Sequence, residues 1–186
     1  MSNFRFINKE VEISKILQQV LDNPDDWNEA SKIPNIAGKK KPYGFLPLAM
    51  AIVETFQQNL DQEELKTLCT HTELLEKTPM YYKYTEIRKF LKKYNCHNHS
   101  RAAFFRLKPG QSVQNHIDFG DYYKTRDRYH LSLQGRYSYT VEDEKHIIEP
   151  GTFFWIDNKK YHEAENISDV DRITFVFDLP FGKRNP

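Results

Sequence analysis

Cysteine is scarce in this chain: Cys69 and Cys96 are the only two among 186 residues. Two thiols do not make the disulfide framework of a small secreted domain. With no secretory leader in view, reduced thiols and a cytoplasmic setting are expected, a single Cys69–Cys96 bridge being left open. Net charge is also missing. The 27 Lys+Arg and 26 Asp+Glu residues leave a formal charge of +1, without the basic field that a nucleic acid or an anionic membrane would select. Neither is expected as a partner. The short run Lys39-Lys40-Lys41 beside Pro42 reads as a solvated loop. Long apolar runs are absent too. The longest, Phe45 to Val53, contains Pro47 and falls far short of the roughly 20 residues that span a bilayer. There is no repeat, low-complexity tract or linker, so one domain over 1–186 is expected, long enough to bury a core.

Aromatic residues, by contrast, are plentiful at 14%, with much of that share in the second half. The first hundred residues carry helical spacing. Ile13, Ile16, Leu17, Val20 and Leu21 follow one helix face, and Pro24 ends it. Leu48 to Phe56 reads as a second, apolar helix with Pro47 in its first turn. Asp61 followed by Glu64 resembles a capping box for a third, and Ile87, Phe90, Leu91 and Tyr94 stripe a fourth. Residues 28–41 read as a loop that Trp27 or Tyr43 anchors. From Arg101 the period becomes two. Strands are expected at 103–107, 129–134, 137–142, 146–149, 152–157 and 172–179, separated by Pro109-Gly110, Gly135, Asp143-Glu144, Pro150-Gly151 and Asn158. This pattern predicts helices over 1–100 packed outside a β core over 101–182, an α+β sandwich or barrel.

The residues with metal chemistry fall in that β half. His116-Ile117-Asp118 places two ligands on one side of an extended segment, and His162 supplies a second imidazole. Two imidazoles and one carboxylate on one face of an iron(II) ion leave its other face open for a cosubstrate and dioxygen. Arg172, ten residues beyond His162, can hold the far carboxylate of a 2-oxoacid through two parallel hydrogen bonds. Strand alternation puts Arg128, His130 and Ser132 on one face, opposite Tyr129, Leu131 and Leu133. Likewise Arg172, Thr174 and Val176 oppose Ile173, Phe175 and Phe177. The polar faces should line an interior.

The segment from about Phe104 to Phe181 resembles the aspartyl/asparaginyl β-hydroxylase family of iron(II)- and 2-oxoglutarate-dependent oxygenases. The resemblance lies in Pro109-Gly110 followed by His116, in Arg128-Tyr129-His130-Leu131, in Glu149-Pro150-Gly151 leading through Asp157 to His162, and in Arg172. It implies a double-stranded β-helix (jelly-roll, cupin-like) with His116 and His162 on the metal and Arg172 on the distal carboxylate of 2-oxoglutarate. Arg128 and His130 would hold the metal-proximal end of that cosubstrate. Asp118 departs from the animal protein-modifying members, which lack the carboxylate ligand, and completes the triad of other 2-oxoglutarate oxygenases. Phe105 stands where a cosubstrate-binding serine is common.

The expectation is therefore hydroxylation of an amino acid, free or within a polypeptide, with Asp, Asn or Pro foremost, coupled to conversion of 2-oxoglutarate and O2 to succinate and carbon dioxide. Two alternatives remain: a non-catalytic cupin that binds a small carboxylate, and a metal cupin enzyme independent of 2-oxoglutarate. Cys96-His97-Asn98-His99 lacks the second ligand pair of a structural zinc site and reads as the approach to the first core strand.

Overall fold

Alternation of small or apolar residues on both sides of 102–107 and 172–180 produces the two strands that organise the molecule. In the computed structural model, which describes residues 2–27, 44–51 and 75–181, these are β4 (Ala102–Leu107) and β11 (Arg172–Pro180). Between them in the chain lie β5 (Ser112–His116), β6 (Arg126–Gln134), β7 (Tyr137–Val141), β8 (Glu144–Ile148), β9 (Phe153–Ile156) and β10 (His162–Asn166). Before them lie β1 (Phe4–Asn8), β2 (Gly44–Ala51) and β3 (Leu75–Lys77).

The major sheet runs β1-β9-β6-β11-β4-β2-β3 and the minor sheet β5-β10-β7-β8. All recorded pairings are antiparallel. Counting from β4, the major sheet takes the first, third, sixth and eighth strands, and the minor sheet takes the second, fourth, fifth and seventh. That exchange of successive strands between two sheets is a double-stranded β-helix, the jelly-roll architecture.

Each face of the major sheet has its own apolar cluster. On the outer face, Tyr129, Leu131 and Leu133 of β6 and Ile173, Phe175 and Phe177 of β11 join Leu46, Leu48 and Phe104. Helix α1 (Ser14–Leu21) contributes Ile16 and Val20, and α3 (Thr85–Lys93) contributes Ile87, Phe90 and Leu91. Each such fully buried side chain stabilises by about 1.5–3 kcal/mol. The shorter α2 (Pro79–Lys83) opens on Pro79, whose fixed φ suits a first turn. The inner cluster joins Phe4, Phe154 and Ile156 of the major sheet to Tyr137, Tyr139, Val141, Ile148 and Ala164 of the minor one.

The expected helix at Leu48–Phe56 is corrected over Leu48–Ala51, residues 52–56 lying outside the described residues. Leu48 to Ala51 belong to β2, in which Phe45 to Ala49 pair with β4, with a register irregularity between Pro47 and Ala49. A short apolar run buried on both sides has no period to distinguish strand from helix, and Pro47 is accommodated where the ladder breaks. The N-terminal part thus supplies three strands to the major sheet as well as helices. The strands β1, β3, β5 and β10 were not anticipated either. The expected helix from Asp61, the loop over 28–41 and Tyr43 lie outside the described residues. Trp27 is buried, with the Arg106 guanidinium 4.8 Å from its ring centre. No helix among the described residues is long and apolar enough to cross a membrane.

Candidate metal centre

Pairing of β5 with β10 sets His116 directly opposite His162, at the end of one strand and the start of the other. Their ring centres are 4.3 Å apart. Asp118 follows on the segment leaving β5, and its backbone N–H donates to the Asn158 carbonyl at 3.2 Å. His116, Asp118 and His162 each offer one ligand atom, and these atoms lie within 4.8 Å of one another.

The donor set fits a divalent metal. His116 Nδ1 lies 2.8 Å from the Gln114 carbonyl oxygen, and His162 Nδ1 lies 2.9 Å from that of Lys160. A carbonyl can only accept, so both Nδ1 atoms carry their protons and both Nε2 lone pairs are free for a metal. Burial lowers the His162 pKa to about 4, so this imidazole is neutral at physiological pH. Burial alone would raise the pKa of Asp118. Arg128, the two imidazoles and an Asn158 hydrogen bond outweigh it and hold the carboxyl below its ordinary range. Its two oxygens are differentiated. Oδ2 accepts from Arg128 Nη1 at 2.6 Å and from Asn158 Nδ2 at 3.1 Å, whereas Oδ1 lies 4.0 Å from His116 Nε2. Two imidazoles and one carboxylate oxygen suit iron(II).

Arg172 opens β11 with its guanidinium carbon 4.1 Å from the ring centre of Tyr137. It is 4% exposed, its Nε has no hydrogen-bond partner, and no carboxylate among the described residues lies within ion-pair distance. Other buried polar atoms around it are also unpartnered: Ser132 Oγ, Thr174 Oγ1, Tyr137 Oη and both ring nitrogens of His130. Ser132 and Thr174 are paired neighbours across β6 and β11, and His130 is the partner of Val176. Buried polar atoms without partners are costly and rare, and here they converge around a buried cation. His130 is stacked on Phe154 at 5.1 Å between ring centres and meets the edge of Tyr139. Burial, then the charges of Arg172, Arg128 and His162, push its pKa far down, so it is neutral. The Tyr139 ring centre lies 6.2 Å from that of His162, 5.3 Å from that of His130 and 6.5 Å from that of Tyr137, the ring beneath Arg172, so one interior contains the arginine and the ligand triad.

Arg128 faces the triad, as alternation requires, but with its nitrogens engaged. Besides Asp118, it donates through Nε and Nη2 to Asp178 at 2.9 and 3.1 Å. Sequence reasoning missed Asp178, Asn158 and Tyr137. Asp178 had a signal, because it shares the parity of Arg172 and Thr174 in an otherwise apolar strand. Asn158 read only as a turn residue. Cys96 and His99 are both buried and form no metal-ligand group among the described residues.

With this geometry in view, comparison with known proteins is decisive at the family level. The model of the aspartyl/asparaginyl beta-hydroxylase family matches residues 56–180, more than half of the chain. The chain belongs to the aspartyl/asparaginyl β-hydroxylase family. The match covers every strand from β3 to β11 and all three triad residues. No curated protein matches the sequence significantly. Solved structures similar to this β-hydroxylase family member include a predicted oxalate decarboxylase from Thermotoga maritima, at 17% identity and a TM-score of 0.39, covering 50% of this chain and 74% of that one. The cupin domain of Schizosaccharomyces pombe Cnp3 matches at 14% identity and a TM-score of 0.38, covering 43% and 55%. A cupin 2 conserved barrel domain protein from Salinispora arenicola matches at 12% and 0.36, covering 44% and 63%. The fold assignment rests on the strand order itself.

Proposed function

We propose that this protein is an iron(II)- and 2-oxoglutarate-dependent dioxygenase that hydroxylates an amino acid, free or within a peptide or protein. The observation that carries the reading is a ligand triad sharing one interior with a buried, carboxylate-free arginine. Family membership agrees with it. His116 and His162 would hold the metal through Nε2, and Asp118 through Oδ1. When bound, iron(II) would supply activation of dioxygen coupled to oxidative decarboxylation of the 2-oxoacid.

The chain's own residues do the rest. Arg172 offers two parallel donors to the distal carboxylate of 2-oxoglutarate, where water is excluded and the charge is least screened. The Ser132, Thr174 and Tyr137 hydroxyls supply further donors to the same anion, and each gains the partner it otherwise lacks. Neutral His130 adds no second positive charge, so it orients the cosubstrate without competing with Arg172 for it. Tyr139 and Phe154 wall the interior against water. The His116 side chain is 42% exposed, so substrate reaches the triad from its side. The substrate class follows the family: Asp, Asn or Pro, with a cytoplasmic setting.

Anaerobic calorimetric titration with 2-oxoglutarate tests this reading. Binding to metal-loaded protein, lost on metal removal or in Arg172→Met, is the expected result. Binding that persists without metal would favour a carboxylate-binding cupin, and no binding in either state would refute the reading.

A further inference from the structure

Arg128 spans two carboxylates rather than one. Its Nη1 donates to Oδ2 of Asp118 at 2.6 Å, while Nε and Nη2 grip Oδ1 and Oδ2 of Asp178 at 2.9 and 3.1 Å. Asp178 is 1% exposed and lies opposite Arg128 in the β6–β11 register. Its Oδ2 also accepts from the Tyr122 hydroxyl at 3.2 Å, in the one-turn helix α4 (Asp121–Lys124) that connects the triad segment to β6. Tyr122 is itself fixed, because its hydroxyl accepts the Arg101 backbone N–H and its ring lies 3.9 Å below the Arg101 guanidinium. The Arg128 guanidinium is 5.0 Å from the Tyr123 ring centre on the same helix.

This arrangement matters for the triad because a carboxylate can offer a metal one oxygen or two. A guanidinium free to rotate would meet Asp118 with both Nη atoms and cover both oxygens. A guanidinium held edge-on by Asp178 reaches only Oδ2, and Oδ1 stays available beside His116. Asp178 sits six residues along β11 from Arg172, so one strand carries both the arginine for the cosubstrate and the anchor for the metal carboxylate.

Resting on the metal-site reading above, we infer that Asp178 is a positioning residue: through Arg128 it sets which oxygen of Asp118 is presented to the metal. Arg128 belongs to the same device, its nitrogens orienting a metal ligand. The Asp178→Asn side chain keeps its shape but loses the charge and one acceptor that hold the guanidinium edge-on.

The test is a cobalt(II) titration, followed by visible absorption under anaerobic conditions, of wild type, Asp178→Asn, Arg128→Met and the double variant. Thermal melts of the metal-free proteins serve as folding controls. We expect Asp178→Asn to weaken cobalt binding by about 10-fold or more, as loss of an outer partner of a metal ligand commonly does, with an altered cobalt spectrum. In the Arg128→Met background the Asp178→Asn change should have no further effect, because Asp178 acts only through Arg128. The double variant removes both charges of the Arg128–Asp178 pair and leaves Asp118 without its guanidinium just as Arg128→Met does, which keeps that comparison readable if Asp178→Asn alone folds poorly. Wild-type affinity and spectrum in a folded Asp178→Asn would overturn the inference. So would an equal loss of affinity in both backgrounds. If wild-type protein binds no cobalt at all, the metal-site reading itself falls, and this inference with it.

Discussion

Replacing Arg172 by methionine separates what this arginine does for the fold from what it does for a ligand. The side chain is 4% exposed, lacks a carboxylate within ion-pair distance among the described residues, and has the Tyr137 ring 4.1 Å away. Burying an ion costs several kcal/mol even after relaxation, and a desolvated cation–aromatic contact returns only about 2 kcal/mol. Methionine fills similar volume without that cost. The ligand-free variant should therefore be more stable than wild type by about 2 kcal/mol, or about 4–8 °C in Tm for a chain of this size. The effect on 2-oxoglutarate has the opposite sign. Stranding its distal carboxylate opposite a thioether removes one partner of a buried pair, about 3 kcal/mol or more, which is at least about a 100-fold rise in Kd. Melts of both proteins with and without 2-oxoglutarate, on a cobalt(II)-loaded background, read the two effects together. Wild type should gain Tm with ligand, and the variant should start higher and gain little. A variant that is less stable without ligand, yet binds 2-oxoglutarate as wild type does, would refute the reasoning: Arg172 would then be a structural strand residue.

Other consequences follow from the same contacts. Asp118→Ala removes the only anionic donor of the triad and should lower cobalt(II) affinity by more than about 100-fold, beyond the loss of an outer partner; retained affinity by titration would remove Asp118 from the ligand set. Burial lowers the pKa of His99 to about 4, from an ordinary value near 6.5, so the unfolded chain takes up this proton first. Its contribution is fully present above about pH 6.5 and shrinks as pH falls toward 4, with about 2 kcal/mol lost by pH 5. Denaturant melts of His99→Gln should show a pH 7-to-5 loss smaller by that amount, and an unchanged loss would contradict it. Gly135 has φ +77°, and a Cβ there would stand 2.9 Å from the Arg172 Cα and 3.0 Å from the Asp171 carbonyl oxygen. Gly135→Ala should therefore destabilise by about 1–3 kcal/mol and, by shifting the start of β11, weaken 2-oxoglutarate binding; a variant equal to wild type in both would show that Arg172 tolerates the movement.

The β half was legible because its strands are half-polar. Along β6 and β11, Arg128, His130, Ser132, Arg172 and Thr174 interrupt apolar neighbours at a period of two, and the structure puts the apolar set against the helices. The triad was legible for a different reason, since His-x-Asp on an extended segment is a local pattern. What local reading could not reach was pairing. β1 joins β9 from almost 150 residues away, and nothing near Phe4 announces its partner. β10 alternates buried and exposed residues in His162–Asn166, but its exposed positions are acidic and its buried ones include only one apolar side chain, Ala164, so no apolar alternation marks it. The run through Leu46 and Leu48 has no polar face, so its period was ambiguous until β4 and α2 were seen to cover it. Asp178 had the right parity and was hidden by the apolar residues around it. Its pairing with Arg128 joins β6 to β11, which no local pattern announces.

The central claim is that the triad and Arg172 serve one reaction, and succinate formation tests it most directly. Anaerobically iron(II)-loaded protein would be exposed to oxygen with 2-oxoglutarate and with pools of free amino acids or peptides, and succinate measured. The account predicts succinate that requires iron, oxygen, Asp118 and Arg172, and that rises with one pool. Succinate formed equally well by Asp118→Ala and Arg172→Met, or none from any pool with protein shown not to bind 2-oxoglutarate, would contradict it.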